Sequence, residues 1–175
     1  MSYVKVCIAA LLLWAGQAGA GTAPDFSLPD LKGKRVNLQK LLEKGPVLVD
    51  FWATYCKPCL KAMPKFAEMH RKYEERGLTI LGVNEDGPRG QAKVRPFLKR
   101  LKIPYRTVID GDGSLLRRFK APGCPSAFLI APDGEIVLKQ AGYIPRYHKE
   151  MIDAIEMLLP KDKADHTSGG DHAEK

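Results

Sequence analysis

Residues 46–53 read PVLVDFWA, an apolar run of strand length broken only by Asp50. A segment apolar on both faces belongs in the middle of a sheet covered on both sides, so a buried central strand is expected. The period then changes. Across residues 57–76, Leu60, Met63, Ala67 and Tyr73 fall mostly three and four apart, which predicts a helix stopped by Gly77. Residues 78–84, LTILGVN, give a second buried strand. Strand, helix and strand of these lengths make a right-handed βαβ unit.

The flanking patterns are shorter. Residues 24–28 and 35–38 lie on either side of the turn Asp30-Leu31-Lys32-Gly33 and predict a small N-terminal β-hairpin. Val94, Phe97, Leu98 and Leu101, at i, i+3, i+4 and i+7, predict another helix. Residues 126–131 and 135–141 read as strands joined by Pro132-Asp133-Gly134, an antiparallel hairpin. Met151, Ile155 and Leu158, with Ile152 and Leu159, predict a terminal amphipathic helix. No internal repeat is present. The fold class is α/β, a central mixed sheet flanked by helices on both faces.

The ends differ from this middle. One cation, Lys5, precedes the short apolar run VCIAALLLWAG, and Ala18 and Ala20 stand where a signal peptidase prefers small residues. The run falls short of the roughly 20 residues a membrane span needs. Cleavage after Ala20 is therefore expected, with an uncleaved membrane anchor as the alternative. No cysteine directly follows the apolar run, which argues against a lipoprotein anchor. The expected organisation is a signal peptide at 1–20, one domain at 21–160 and a disordered polar tail at 161–175. The mature protein would be periplasmic or otherwise exported, soluble and monomeric.

Loss of the leader removes Lys5 and Cys7, so the net charge falls from +8 to +7 and the cysteines from four to three. Lys and Arg are scattered, without interleaved aromatics or a nucleic-acid-binding motif, so nucleic acid is not an expected partner. Three cysteines cannot all pair within one chain, and one thiol is left over.

Two of the three stand as Cys56-Lys57-Pro58-Cys59, at the expected junction of strand and helix. Structural zinc usually takes four ligands from two such pairs, and this chain has one pair and one further thiol. Redox chemistry needs two thiols close enough for a reversible disulfide, one of them acidic and accessible. A helix N-terminus supplies the acidity, because its amides and dipole stabilise a thiolate at Cys56. Cys56 then attacks a substrate disulfide and Cys59, one turn deeper, resolves the mixed disulfide. Pro58 sits in the first helical turn, where its missing N–H does no harm.

At these residues the chain resembles thioredoxin-fold proteins, specifically the exported TlpA/ResA-like group of thiol-disulfide oxidoreductases. The resemblance is carried by APDFSLPDLKGKRVNL, PVLVDFWATYCKPC, Pro64 within the active-site helix, and GCPSAFLIAPDGEIV, and it covers roughly residues 23–158. It implies a thioredoxin-like fold with an N-terminal β-hairpin extension, a cis-proline at Pro125, and no cofactor. It places Trp52, Tyr55, Pro58, Cys124 and Pro125 at the substrate-binding surface. Asp50 matches thioredoxin's buried aspartate, which implies proton transfer with Cys59; many TlpA-like relatives carry asparagine there. An unpaired buried carboxylate has its pKa raised. Glu85 falls near the region where such relatives place an acidic modulator, although a solvated loop carboxylate is the favoured reading of Glu85 and Asp86. Implied partners are protein thiols and disulfides and a membrane thiol-reducing electron donor, with cytochrome c or copper-centre maturation among the implied roles.

Cys124 is a departure, since relatives usually carry Ile, Val or Thr before the cis-proline. Three readings stay open: an apolar filler, a third redox thiol, or a metal ligand. The last belongs to the competing function, a metal-binding or delivery module using Cys56, Cys59 and Cys124, whose soft thiolates suit Cu(I) or zinc. Other constellations fail. The stretch DGDGS at 110–114 lacks the glycine and glutamate a calcium loop needs at its sixth and twelfth positions and reads as a turn. His70 and His148 have no ligand at metal spacing. A peroxiredoxin would show Pro-x-x-x-Thr/Ser-x-x-Cys, and the residues before Cys56 do not.

Overall fold

The computed structural model describes residues 21–160. The expected leader and tail lie outside them. In chain order the elements are β1 (Ser27–Pro29), β2 (Arg35–Asn37), α1 (Leu38–Leu42), β3 (Val47–Trp52), α2 (Cys59–Tyr73), β4 (Thr79–Asn84), α3 (Gln91–Arg100), β5 (Arg106–Ile109), α4 (Ser114–Arg118), β6 (Ser126–Ile130), β7 (Ile136–Ala141) and α5 (Tyr147–Leu158). β1 and β2 form the antiparallel N-terminal hairpin. The other strands make one mixed sheet in the order β5-β4-β3-β6-β7. β3, β4 and β5 run parallel, and β6 and β7 are antiparallel to their neighbours.

Every residue of β3 is buried, as its apolar run predicts. Alternation then sorts its side chains between two cores. Val47, Val49 and Phe51 join Leu81, Val83, Val108, Phe128 and Ile130 beneath the hairpin, α1 and α4. Leu48 faces the opposite way, with Ile80 and Leu129, towards α2 and α5. Trp52, on that same face, packs with Cys59 and Met63 of α2 and Val94 and Leu98 of α3. Asp50 lies between Leu48 and Trp52, so the pleat aims a carboxylate at the face that α2 covers.

The helix expected over residues 57–76 begins at Cys59 and ends at Tyr73. Its start is set back because Pro58, with φ −66°, is the cap, and residues 56–58 form turns closed by Cys59 N–H to the Cys56 carbonyl and Leu60 N–H to the Lys57 carbonyl. Pro64 inside α2 has no N–H for the carbonyl of the preceding turn. Three short elements carried no readable period: α1, α4 and the strand β5. The DGDGS stretch does turn, but it also launches α4. The Asp110 carboxylate accepts the backbone N–H groups of Leu115 at 2.8 Å and Leu116 at 3.0 Å, which caps that helix.

Behind the site, Gly82 of β4 pairs with Asp50 in register and is closely overlaid. A Cβ there would meet Thr107 Oγ1 at 2.8 Å and Trp52 Nε1 at 2.9 Å. Both neighbours are buried and held in place. We therefore expect Gly82→Ala to lower the urea midpoint by the equivalent of about 1–3 kcal/mol, the usual cost of overpacking. An unmoved midpoint would show that Trp52 shifts freely.

Candidate active site

β3 ends at Trp52 and the chain turns tightly before α2 starts. Cys56 N–H bonds to the Ala53 carbonyl at 3.1 Å, and Cys59 N–H lies 3.3 Å from Cys56 Sγ. The sulfur of Cys56 thus meets an amide at the helix N-terminus, the arrangement that favours a thiolate. Cys56 and Cys59 are joined in a disulfide, with Cα atoms 5.3 Å apart. Cys56 is the outer member, 6% exposed against 1% for Cys59. Its surroundings are open: Tyr55 is 71% exposed, and Lys57 and Pro58 are exposed beside it.

Antiparallel pairing returns the third thiol to this place. Phe51 of β3 sits opposite Ser126 of β6, so the residues before β6 emerge beside those after β3. Cys124 and Pro125 are joined by a cis peptide bond. The sulfurs of Cys56, Cys59 and Cys124 lie within 4.8 Å of one another. Cys124 is a free, half-buried thiol. Burial pushes its pKa above the ordinary value; one backbone hydrogen bond opposes this, and Glu85, Asp50 and Asp86 add to it through their charge.

Asp50 is 1% exposed. Its Oδ2 accepts only a long bond from the Tyr105 hydroxyl at 3.5 Å, and Oδ1 has no partner. Desolvation therefore raises its pKa to about 7, against a weak opposing effect of Tyr105. A cleft connects it outward, lined by Asp50, Phe66, Pro125, Tyr143 and His148 among others. The space open to water within it is about 20 Å³, room for one molecule.

The other expected site residues fall differently. Trp52 is fully buried and stacks on Phe97, ring centroids 5.5 Å apart. Trp52, expected at the substrate-binding surface, is buried beneath the cysteine turn against Cys59 and Met63. Glu85 and Asp86 are not solvated loop carboxylates. Glu85 is half-buried with Oε1 unpartnered, and its pKa is pushed up to about 8 by desolvation first, then by Asp110 and Asp112, with Arg117 opposing. Asp86 is 3% exposed and accepts hydrogen bonds from Thr54 N–H at 2.9 Å, the Thr54 hydroxyl at 2.5 Å and the Asn84 amide at 2.6 Å. It fixes the loop that carries Tyr55. Nothing in the sequence period marks this role; the clue was a polar Asn-Glu-Asp run immediately after a buried strand. His70 pairs with Glu74 on α2, away from the cleft that His148 lines.

The buried position of Asp50 makes stability depend on pH. Ionised above about 3.8 when unfolded but protonated to about 7 when folded, Asp50 opposes folding increasingly between those values and by a constant amount above them. The cost is absent below the unfolded value. Asp50→Asn should therefore gain on the parent between pH 4 and 7, by up to about 4 kcal/mol, in denaturant titrations at each pH. A stability difference independent of pH would mean that Asp50 is ionised in the fold.

The same scaffold recurs in known proteins. A family model described as AhpC/TSA matches residues 20–139. A thiol-disulfide oxidoreductase ResA of Bacillus cereus is 36% identical over 120 residues, 69% of this chain and 68% of that protein. ResA of Geobacillus kaustophilus is 38% identical over 119 residues, 68% of this chain and 67% of that one. Among solved structures, a protein assigned as thiol:disulfide interchange protein DsbE from Chlorobium tepidum superposes with a TM-score of 0.73 at 29% identity, covering 79% of this chain and 96% of the other. With its Cys56–Cys59 disulfide at the head of α2, the chain belongs to the AhpC/TSA family of thioredoxin fold and is a thiol-disulfide oxidoreductase.

Proposed function

We propose that the protein is exported and reduces disulfides in other exported proteins. The observation that carries this reading is the Cys56–Cys59 disulfide at the α2 N-terminus, with its outer sulfur beside exposed Tyr55 and the Cys124–Pro125 turn. In the reduced chain, the Cys56 thiolate attacks a substrate disulfide. One substrate sulfur leaves, and the other stays bound to Cys56. The Cys59 thiolate then attacks Cys56 Sγ, which releases the second substrate thiol and forms the Cys56–Cys59 disulfide. Asp50 takes the Cys59 proton and gives it back to Cys59 when the pair is re-reduced; its pKa of about 7 suits transfer in both directions. Tyr55 and Pro58 offer exposed docking surface beside half-buried Cys124, which buried Pro125 backs, and Glu85 modulates the charge around the thiols.

Net reduction outside the cytosol requires an electron source, so a membrane thiol-reducing donor is part of the proposal. Apocytochrome c and copper-centre assembly proteins are substrates of the right chemistry. The leader directs export, the domain spans 21–160 ahead of a polar tail, and the protein works as a monomer. Among the described residues no helix is long and apolar enough to cross a membrane.

A second reading draws on the three clustered sulfurs. Once reduced, they would offer three soft thiolates suited to Cu(I) or zinc. Metal analysis of anaerobically purified, reduced protein decides it. About one copper or zinc per chain, lost in Cys124→Ser, supports delivery of metal; no bound metal removes the idea.

For the reductase, insulin reduction with dithiothreitol recycling is the direct assay. We expect catalysis by the parent and its loss in Cys56→Ser. Asp50→Asn should slow resolution of the mixed disulfide about tenfold or more and flatten its dependence between pH 6 and 9. An unchanged rate over that range would remove Asp50 from the mechanism. A reduction potential near roughly −120 mV with poor insulin reduction would reverse the direction to oxidation.

A further inference from the structure

The reductase mechanism uses two sulfurs, yet three lie within 4.8 Å of one another. Cys124 packs against the buried cluster that contains Cys56, Cys59, Trp52 and Met63, so its place is held by the core and not by chance at a loop tip. We propose that Cys124 is a second resolving thiol, able to attack Cys56 in a mixed disulfide and release the bound substrate. The inference rests on the oxidoreductase reading and adds a catalytic residue to it.

The step balances without any added reactant. Cys124 loses its proton, and its sulfur attacks Cys56 Sγ. The bond from Cys56 to the substrate sulfur breaks, that sulfur leaves as a thiolate and takes up a proton, and a Cys56–Cys124 disulfide remains. Two electrons have passed to the substrate, as in resolution by Cys59. Geometry permits it. The sulfurs must close from within 4.8 Å to a bond, and a change of χ1 moves a cysteine sulfur by roughly 3 Å. Cys56 is free to turn in this way only while it is not bonded to Cys59.

Speed separates the two resolving thiols. Cys124 is faced by Glu85 and Asp86 after β4, by Asp50 of β3 and by Tyr55 ahead of the cysteine pair, all of them acidic groups that repel a thiolate when ionised. Burial first, and these groups after it, leave little of it ionised near neutral pH, although a high-pKa thiolate is a strong nucleophile once formed. Cys59 therefore resolves ordinary turnover. Cys124 acts on mixed disulfides that persist because Cys59 is misplaced or already modified.

The test compares Cys59→Ser with Cys59→Ser/Cys124→Ser, each treated with a chromogenic aryl disulfide and followed by absorbance and mass. In Cys59→Ser we expect one equivalent of aryl thiol quickly and a second slowly, leaving a chain two hydrogens lighter with Cys56 and Cys124 in one linked peptide. The slow phase should quicken nearly tenfold per pH unit from about 7 to 8, following the thiolate fraction. The double variant should release one equivalent and keep its adduct. Cys59→Ser/Cys124→Ala should match the double variant, which separates loss of the thiol from a packing defect. The proposal is overturned if Cys59→Ser keeps a single adduct as long as the double variant, or ends with adducts on both cysteines and no link between them. Failure of the parent to reduce insulin would instead sink the reductase reading, a result independent of this one.

Discussion

The antiparallel pairing of β3 with β6 is the constraint on which the site depends. With Phe51 opposite Ser126 and Asp50 opposite Ala127, the end of one strand and the start of the other share one edge of the sheet. Everything chemical leaves from that edge: the turn to Cys56 on one side and the Cys124–Pro125 peptide on the other. A slip of one residue would turn Asp50 to the opposite core and Phe51 towards α2. That core is built of Phe26, Phe51, Phe119 and Phe128 in edge-to-face contacts, with nothing to receive a carboxylate. The hydrophobic packing on both faces therefore sets the register, and the register sets the active site.

Electrostatics then divides three sulfurs of the same kind into different roles. The amide end of α2 meets Cys56 and stabilises negative charge there. Carboxylates meet the site from elsewhere. Asp50 rises through the sheet, and Glu85 and Asp86 follow β4. Asp86 spends its charge on Thr54 and Asn84, which holds the loop before Cys56 in shape. Asp50 and Glu85 each keep a buried oxygen without a partner. Such groups are costly in a folded chain unless they are neutral. Both therefore titrate near the pH at which thiols ionise, so the charge around the site changes with the same protons the reaction moves.

How far this was legible in the sequence follows from the length of each pattern. β3, α2, β4 and α5 carry enough apolar residues to declare a period. α1 and α4 have five residues each and β5 has four, too few to distinguish a period from chance. The start of α4 was hidden for another reason, since Asp110 opens a glycine-rich stretch whose turn chemistry conceals a helix cap. The Cys-x-x-Cys pair could be interpreted locally, because strand-to-helix placement is itself a local property. Cys124 could not, because its nearness to Cys56 is a product of strand register across half the chain; only the family resemblance pointed to it. The resemblance places Trp52 at the substrate-binding surface, while strand alternation turns its side chain inward onto Phe97.

A third cysteine at this position changes what a thiol-disulfide oxidoreductase must manage. With two thiols the oxidised state has one arrangement; with three in mutual reach, exchange can place the bond at more than one pair. The fold limits that freedom by acidity and by burial. Cys59 lies deepest, at 1% exposure, which keeps it from attacking outside disulfides. Cys124 is more open, but its partial burial, and after it the carboxylates nearby, hold most of it as the neutral thiol, so proximity alone does not make it the faster partner. Only Cys56 combines an outward sulfur with a helix terminus that favours its thiolate. The first attack is therefore assigned to one residue, and the choice of resolving thiol is left to protonation.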